Sequence, residues 1–204
     1  MRVKLIKNHT EMILASSSET RSRLLQNAGL NFTICPADVD EAAIKEKSVA
    51  IPVQSLVHIL AAEKARQVSS VHSDALVIGA DQILQCQGLL FDKPEGQGGV
   101  RDHLMKLRGK THQLISAVCV AEGGKVVWWE TDSADLTMWD FSNDFIDQYV
   151  RNAGNTVLAS VGAYRLEDIG VQLFKRIDGD YFTIMGMPLL PLLDFLRTRD
   201  GLVI

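Results

Sequence analysis

Strands and helices are intermingled along the whole chain, which predicts an α/β or α+β fold built on a mixed sheet. Three stretches carry that expectation. Ala75-Leu76-Val77-Ile78 is a short apolar run and reads as a fully buried strand. From Val53 to Val68, apolar residues at Val53, Leu56, Val57, Leu60, Ala61, Ala65 and Val68 keep a helical period. Met12 to Ala15, Ser16-Ser17-Ser18 and Glu19 to Ala28 read as strand, polar turn and helix, with Gly29 as the stop.

A length of 204 residues suits one domain or two closely packed lobes. With 47% hydrophobic and 23% charged residues, the composition is that of a soluble globular protein. The net charge of −4 argues against a non-specific nucleic-acid binder and against a polybasic membrane anchor. It leaves room for an anionic small molecule held by a local basic cluster. Cys35, Cys86 and Cys119 are widely spaced in apolar segments without metal-ligand spacing, as expected of core residues in a reducing compartment. Met1 to Lys7 lacks the apolar region of a leader, and no apolar run approaches membrane-spanning length, so the expected location is the cytoplasm.

Ser18 is a natural N-cap, so the first strand and helix meet in a turn that offers free backbone N–H groups and a positive dipole end. Arg21 follows in the first helical turn, on the inward stripe set by Leu24, Leu25 and Ala28. A cation there meets an unfavourable dipole and apolar neighbours. Either an anionic ligand sits opposite it, or it pairs with a structural carboxylate or reaches out to water.

Asn31 to Cys35 reads as a second strand. Asp38-Val39-Asp40-Glu41 then sets three carboxylates in four residues before a short helix. Clustered oxygens suit a hard cation such as Mg²⁺, and they equally suit an acidic helix N-terminus. On the long helix, Lys64 interrupts the apolar stripe; it needs an acid or a phosphate as partner unless its head reaches water. The buried strand from Ala75 ends in Gly79-Ala80 and then Asp81. A carboxylate at a buried strand tip is costly unless a cation meets it. Ligands commonly sit outside the carboxyl ends of strands in open α/β sheets, so Asp81 is a candidate for chemistry as well as for a turn cap.

Gln82 to Cys86 and Leu89 to Phe91 form a hairpin around Gln87-Gly88. Pro94 holds Lys93 extended. Glu95 to Gly99 reads as a Gly-rich loop without the Lys-Ser/Thr ending of a P-loop, and Val100 to Leu107 as a helix. Thr111 to Glu122 is a long strand; His112 at its entry is either an acid/base group or structural. Lys125 to Trp129 and Ala134 to Trp139 continue the sheet. Ser142 caps a helix to Ala153. Val161 to Glu167 is irregular, Val171 to Ile177 and Tyr181 to Ile184 read as strands, and Met187-Pro188 opens the last helix.

Together these residues form a pattern. Leu14-Ala15-Ser16-Ser17-Ser18 followed by Arg21 resembles the Ser-x-Ser-Pro-Arg-Arg signature of the Maf family of nucleotide pyrophosphatases. Glu63-Lys64-Ala65, Gly79-Ala80-Asp81, Lys93-Pro94, Gly109-Lys110-Thr111-His112, Asp178 to Phe182 and Gly186 to Leu189 are similar to the family's further motifs, in the same order over nearly the whole chain. The resemblance implies an α/β fold with a mixed, strongly twisted central sheet flanked by helices, two lobes with an intervening cleft, and often a homodimer. It implies hydrolysis of a nucleoside triphosphate to monophosphate and pyrophosphate with a divalent metal (Mg²⁺ or Mn²⁺), as house-cleaning of the nucleotide pool. Some members are linked to septum formation.

By the same resemblance, Ser16, Ser18, Arg21, Lys64 and Lys93 would hold the triphosphate. Glu41, with Asp40, would share metal binding with Asp81, and Asp81 would accept a proton from the attacking water. Three departures bear on the base. Glu19-Thr20 stands for the family's Pro-Arg, Gln82 for the Thr of members acting on dTTP and UTP, and Glu167 for their Gln. Gln82 and Glu167 look like the branch acting on 7-methyl-GTP, since a carboxylate accepts from guanine N1–H and N2–H and favours a cationic methylated base. Thr20 matches neither branch. The alternatives are a dTTP/UTP-selective enzyme and a non-catalytic nucleotide-binding regulator of division.

Overall fold

The computed structural model describes residues 11–48 and 50–200; Met1 to Lys7 lie outside them. In chain order the elements are β1 (Met12–Leu14), α1 (Glu19–Asn27), β2 (Thr33–Ile34), α2 (Glu41–Lys47), α3 (Val53–Val71), β3 (Leu76–Cys86), β4 (Leu89–Phe91), α4 (Gly96–Leu107), β5 (Thr111–Glu122), β6 (Lys125–Met138), α5 (Asn143–Ala153), β7 (Phe174–Asp178), α6 (Tyr181–Ile184) and α7 (Leu189–Asp200). Two 3-10 turns, Thr156–Ala159 and Ile169–Leu173, lie between α5 and β7. The seven strands make one mixed sheet in the order β2-β1-β3-β5-β6-β7, with β4 paired to β3. This is the α/β class expected from the alternation of elements.

Two compact units divide the chain. The first comprises the residues up to Asp81, Ser116–Asp132 and those from Tyr181 onward. In it β1 runs parallel to β2 and to β3, with Ile13 opposite Val77 and Leu14 opposite Ile78. A parallel sheet buried on both faces needs apolar residues at successive positions, and the period of two sorts them. Met12, Leu14, Leu76, Ile78 and Ala80 face α1 and α7 in a core with Leu24, Leu25, Leu192 and Leu196. Ile13, Ala15, Ala75 and Val77 face the other way, toward Val68 of α3. By the same alternation Gly79 and Asp81 lie on the α3 face.

Gly79 sets how closely α3 approaches. A Cβ at this position would collide with the Ala61 carbonyl oxygen and stand 2.7 Å from the Ala65 nitrogen and 2.9 Å from the Ala65 Cβ. Only glycine leaves that space.

The second unit comprises Gln82–Ile115 and Ser133–Asp180. Here β3 and β4 form the expected hairpin, turned by Gln87 and Gly88 with φ of 51° and 81°, the left-handed pair of a type I′ turn. Arg101 on α4 donates to Asp147 on α5 at 2.9 Å. Tyr164 is buried, and its hydroxyl lies 2.7 Å from His112 Nε2.

Four expectations are corrected. The buried strand does not end at Asp81: β3 continues to Cys86, because Gly79 is occupied by helix packing and breaks nothing, so one strand serves both the buried run and the hairpin. Glu95 to Gly99 is not a loop; α4 starts at Gly96, its glycines overruled by the apolar stripe Val100, Leu104 and Leu107. Tyr181 to Ile184 is a helical turn, not a strand. Val171 to Leu173 belongs to a 3-10 turn, and the strand begins only at Phe174. β-branched and aromatic residues suggested strands there, but local turn hydrogen bonds such as Met185 N–H to Tyr181 O at 3.0 Å took the backbone.

Candidate active site

The carboxyl end of β1 and the middle of β3, at Asp81, carry the site. β1 leads into Ser16-Ser17-Ser18, anchored where Ala15 N–H donates to Ile78 O at 2.8 Å. Ser18 is the N-cap of α1, its hydroxyl accepting from Arg21 N–H at 3.4 Å. Arg21 turns inward as its position on the stripe required. Its Nε donates to Gly186 O at 2.9 Å, and its Nη1 donates to Ser16 Oγ at 3.2 Å. Burial draws the guanidinium's pKa down, and the charges of Asp81 and Glu41 oppose that shift. Among the described residues, then, no carboxylate holds the arginine by direct contact; a carbonyl and a hydroxyl hold it, with two acids nearby.

Across the α3 face, Lys64 Nζ lies 2.7 Å from Asp81 Oδ1 and 2.7 Å from Glu41 Oε1. The side chains of Lys64 and Asp81 are only 12% and 11% exposed, whereas Glu41 is 43% exposed. The lysine's head therefore does not reach water alone. It meets two acids, one from the buried strand and one from the first turn of α2. Among the described residues, the other Asp81 oxygen, Oδ2, accepts no hydrogen bond.

The remaining sequence candidates are placed within their own units. Asp40 caps α2, its Oδ1 accepting from Ala43 N–H at 3.0 Å. Thr20 is half-buried in the first turn of α1. In the second unit, Gln82 follows Asp81 on β3 and is half-buried, and Lys93 is exposed after β4. Glu167 is held by Arg165, whose Nε and Nη2 donate to Oε1 at 3.2 and 3.0 Å. His112 is buried, which pushes its pKa down to about 4, and its Nε2 lies 2.7 Å from the Tyr164 hydroxyl. The site residue that sequence reasoning missed is Gly186, because any residue type presents a carbonyl and nothing in a side-chain pattern marks one.

Residues 11–199 match the family model described as Maf-like protein. The chain belongs to the Maf family. It is 50% identical over 194 residues to a nucleoside triphosphate pyrophosphatase of Paramagnetospirillum magneticum, covering 94% of this chain and all of that one. It is 47% identical over 190 residues to a 7-methyl-GTP pyrophosphatase of Brucella abortus, covering 92% and 95%. A 7-methyl-GTP pyrophosphatase of Rhizobium etli is 45% identical over 197 residues, covering 94% and 98%.

The Maf family implies a divalent cation. No group of three His, Cys, Asp or Glu side chains able to cage a metal occurs among the described residues. Mg²⁺ does not demand one: it is commonly bound through one or two carboxylates, with water and substrate phosphates completing the shell. Glu41 and Asp81, converging on a single positive charge, fit that requirement. No helix among the described residues is long and apolar enough to cross a membrane.

Proposed function

We propose that this Maf-like protein is a nucleoside triphosphate pyrophosphatase, cleaving the α–β phosphoanhydride to give a nucleoside monophosphate and pyrophosphate. The observation that carries the reading is the Glu41–Lys64–Asp81 cluster beside Arg21, where β1 ends beside the middle of the parallel strand β3. A protein that only bound nucleotide would gain nothing from an acid among phosphate-binding cations.

The roles follow from what each side chain offers. The Ser16–Ser18 turn and the N-terminus of α1 present donors to phosphate oxygens. Arg21, fixed through Nε and Nη1, keeps guanidinium N–H groups to offer an anion. Lys64 and Lys93 add positive charge. Charge that builds on the bridging oxygen and pyrophosphate is offset by these cations. Asp81 orients the attacking water and takes its proton at Oδ2 as the water oxygen bonds to the α phosphorus and pyrophosphate departs. Glu41 and Asp81 would hold Mg²⁺ or Mn²⁺, which when bound supplies further neutralisation of phosphate charge.

The base we assign is 7-methylguanine. Gln82 and Glu167 support it, as do the names of the Brucella abortus and Rhizobium etli relatives. With Arg165 on Oε1, the Glu167 Oε2 is left to accept from a guanine N–H. We further assign the protein to the cytoplasm, as a homodimer, with any role in septum formation following from nucleotide control.

The test is pyrophosphate release from a panel of nucleoside triphosphates, 7-methyl-GTP included, with Mg²⁺ or Mn²⁺, by wild type and Asp81→Asn. Release that falls by about a hundredfold or more in the variant is the expected result. Nucleotide that binds and is recovered unchanged would leave a binding regulator instead. Preference for dTTP and UTP would overturn the assignment of the base.

A further inference from the structure

Lys64 holds the two carboxylates that the reading above assigns to the metal. Its Nζ touches Asp81 Oδ1 and Glu41 Oε1 at equal distances of 2.7 Å, in a place where its side chain is 12% exposed. A cation between two acids is where a second cation would go, and both cannot be there. An ammonium held against a dication that shares its ligands is repelled by it, and the repulsion grows as water is excluded. Arg21 cannot take over the carboxylates without giving up Gly186 O and Ser16 Oγ. Lysine, by contrast, is a point charge on a flexible four-carbon stem, with no fixed fork to its donors.

We propose that Lys64 is a resident counter-ion that exchanges with the divalent metal. Its ammonium and the metal are alternative occupants of the Glu41–Asp81 pair, and the displaced ammonium turns to the triphosphate. The buried Asp81 is thus never left without a positive charge beside it. Metal and triphosphate are also coupled through Lys64. The metal frees the lysine for phosphate, and phosphate draws the lysine away from the metal's ligands, so each tightens the other by the same factor. This proposal rests on Glu41 and Asp81 being the metal ligands, and it does not depend on hydrolysis.

Binding of Mn²⁺ to the whole protein without nucleotide, measured by calorimetry or by the electron spin resonance of free Mn²⁺, tests it. Lys64→Gln removes the competitor and is expected to bind Mn²⁺ about tenfold more tightly than wild type, or better. A lysine that served only packing or phosphate would leave Mn²⁺ affinity unchanged or lower it, and that result overturns the proposal. The wild-type protein supplies a second measurement that needs no variant to fold. In lysine-selective ¹⁵N spectra, the Lys64 ammonium is expected to lose its slow hydrogen exchange as Mg²⁺ is added. A Lys64 signal that stays put while Mg²⁺ binds overturns the exchange. If neither protein binds Mn²⁺, the metal reading and the exchange fall together. If wild type hydrolyses nothing while Lys64→Gln still binds Mn²⁺ more tightly, only the catalytic reading falls.

Discussion

Gly79→Ala adds one methyl group at the point where α3 rests on β3. The new Cβ would meet the Ala61 carbonyl oxygen, the Ala65 nitrogen at 2.7 Å and the Ala65 Cβ at 2.9 Å. Two of these are backbone atoms, which no side-chain rotation can move. Ordinary contact begins near 3.4 Å, so α3 must withdraw by roughly 0.5–1 Å. Gly79 does not have a positive φ, so the backbone itself tolerates alanine and the effect is one of space. Overpacking of this kind costs about 1–3 kcal/mol, against which alanine's lower chain entropy returns under about 1 kcal/mol. Lys64 stands on α3 between Ala61 and Ala65, and its 2.7 Å contact with Asp81 opens as the helix retreats. A displacement near 1 Å at a catalytic group costs on the order of a hundredfold in rate. Urea denaturation is expected to show a lower midpoint at unchanged slope, and pyrophosphate release is expected to fall tenfold to a hundredfold. A variant as stable and as active as wild type would refute the argument that Gly79 sets the distance between lysine and acid.

Two further predictions concern the cap of α1 and a buried histidine of the second unit. Ser18→Ala removes the oxygen that accepts from Arg21 N–H and is expected to cost about 1 kcal/mol in urea denaturation, with Ser18→Gly costing less. His112 makes stability depend on pH. Its pKa is near 6.5 in the unfolded chain and about 4 in the folded one, so below pH 6.5 the unfolded state takes up a proton that the folded state refuses. Stability is therefore full above that pH, falls as pH drops towards 4 and levels off below, by at most about 3 kcal/mol. Urea midpoints across that window measure the fall, and His112→Gln is expected to flatten it.

The period of the apolar residues made most of the first unit legible. Arg21 and Lys64 stood out because each broke an apolar stripe, and Asp81 because it ended an apolar run; the structure brings all three together. Local chemistry marked Ser18 as a cap and Gln87-Gly88 as a turn. What stayed hidden depends on distant partners. Nothing near Glu41 says that it answers to a lysine on another helix. The strand-like residues Tyr181-Phe182-Thr183-Ile184 predict a strand where the α6 turn forms. It is pinned instead by Ser116 Oγ donating to Thr183 O at 2.8 Å and Thr183 Oγ1 donating to Asp132 at 2.7 Å. Gly79 was visible as a small residue, but what it makes room for lies on α3.

The bond from Arg21 to Gly186 O joins positions 165 residues apart. On the ribosome, Ser16, Ser18, Arg21, Lys64 and Asp81 all emerge well before Gly186. Until then the arginine has its charge but no backstop, and it lies in a helical turn whose dipole repels it. The anion pocket is thus completed late in synthesis, by a carbonyl rather than a side chain. A chain cut short before Tyr181 retains Ser16, Ser18, Arg21, Glu41, Lys64 and Asp81 and lacks the acceptor that aims the guanidinium.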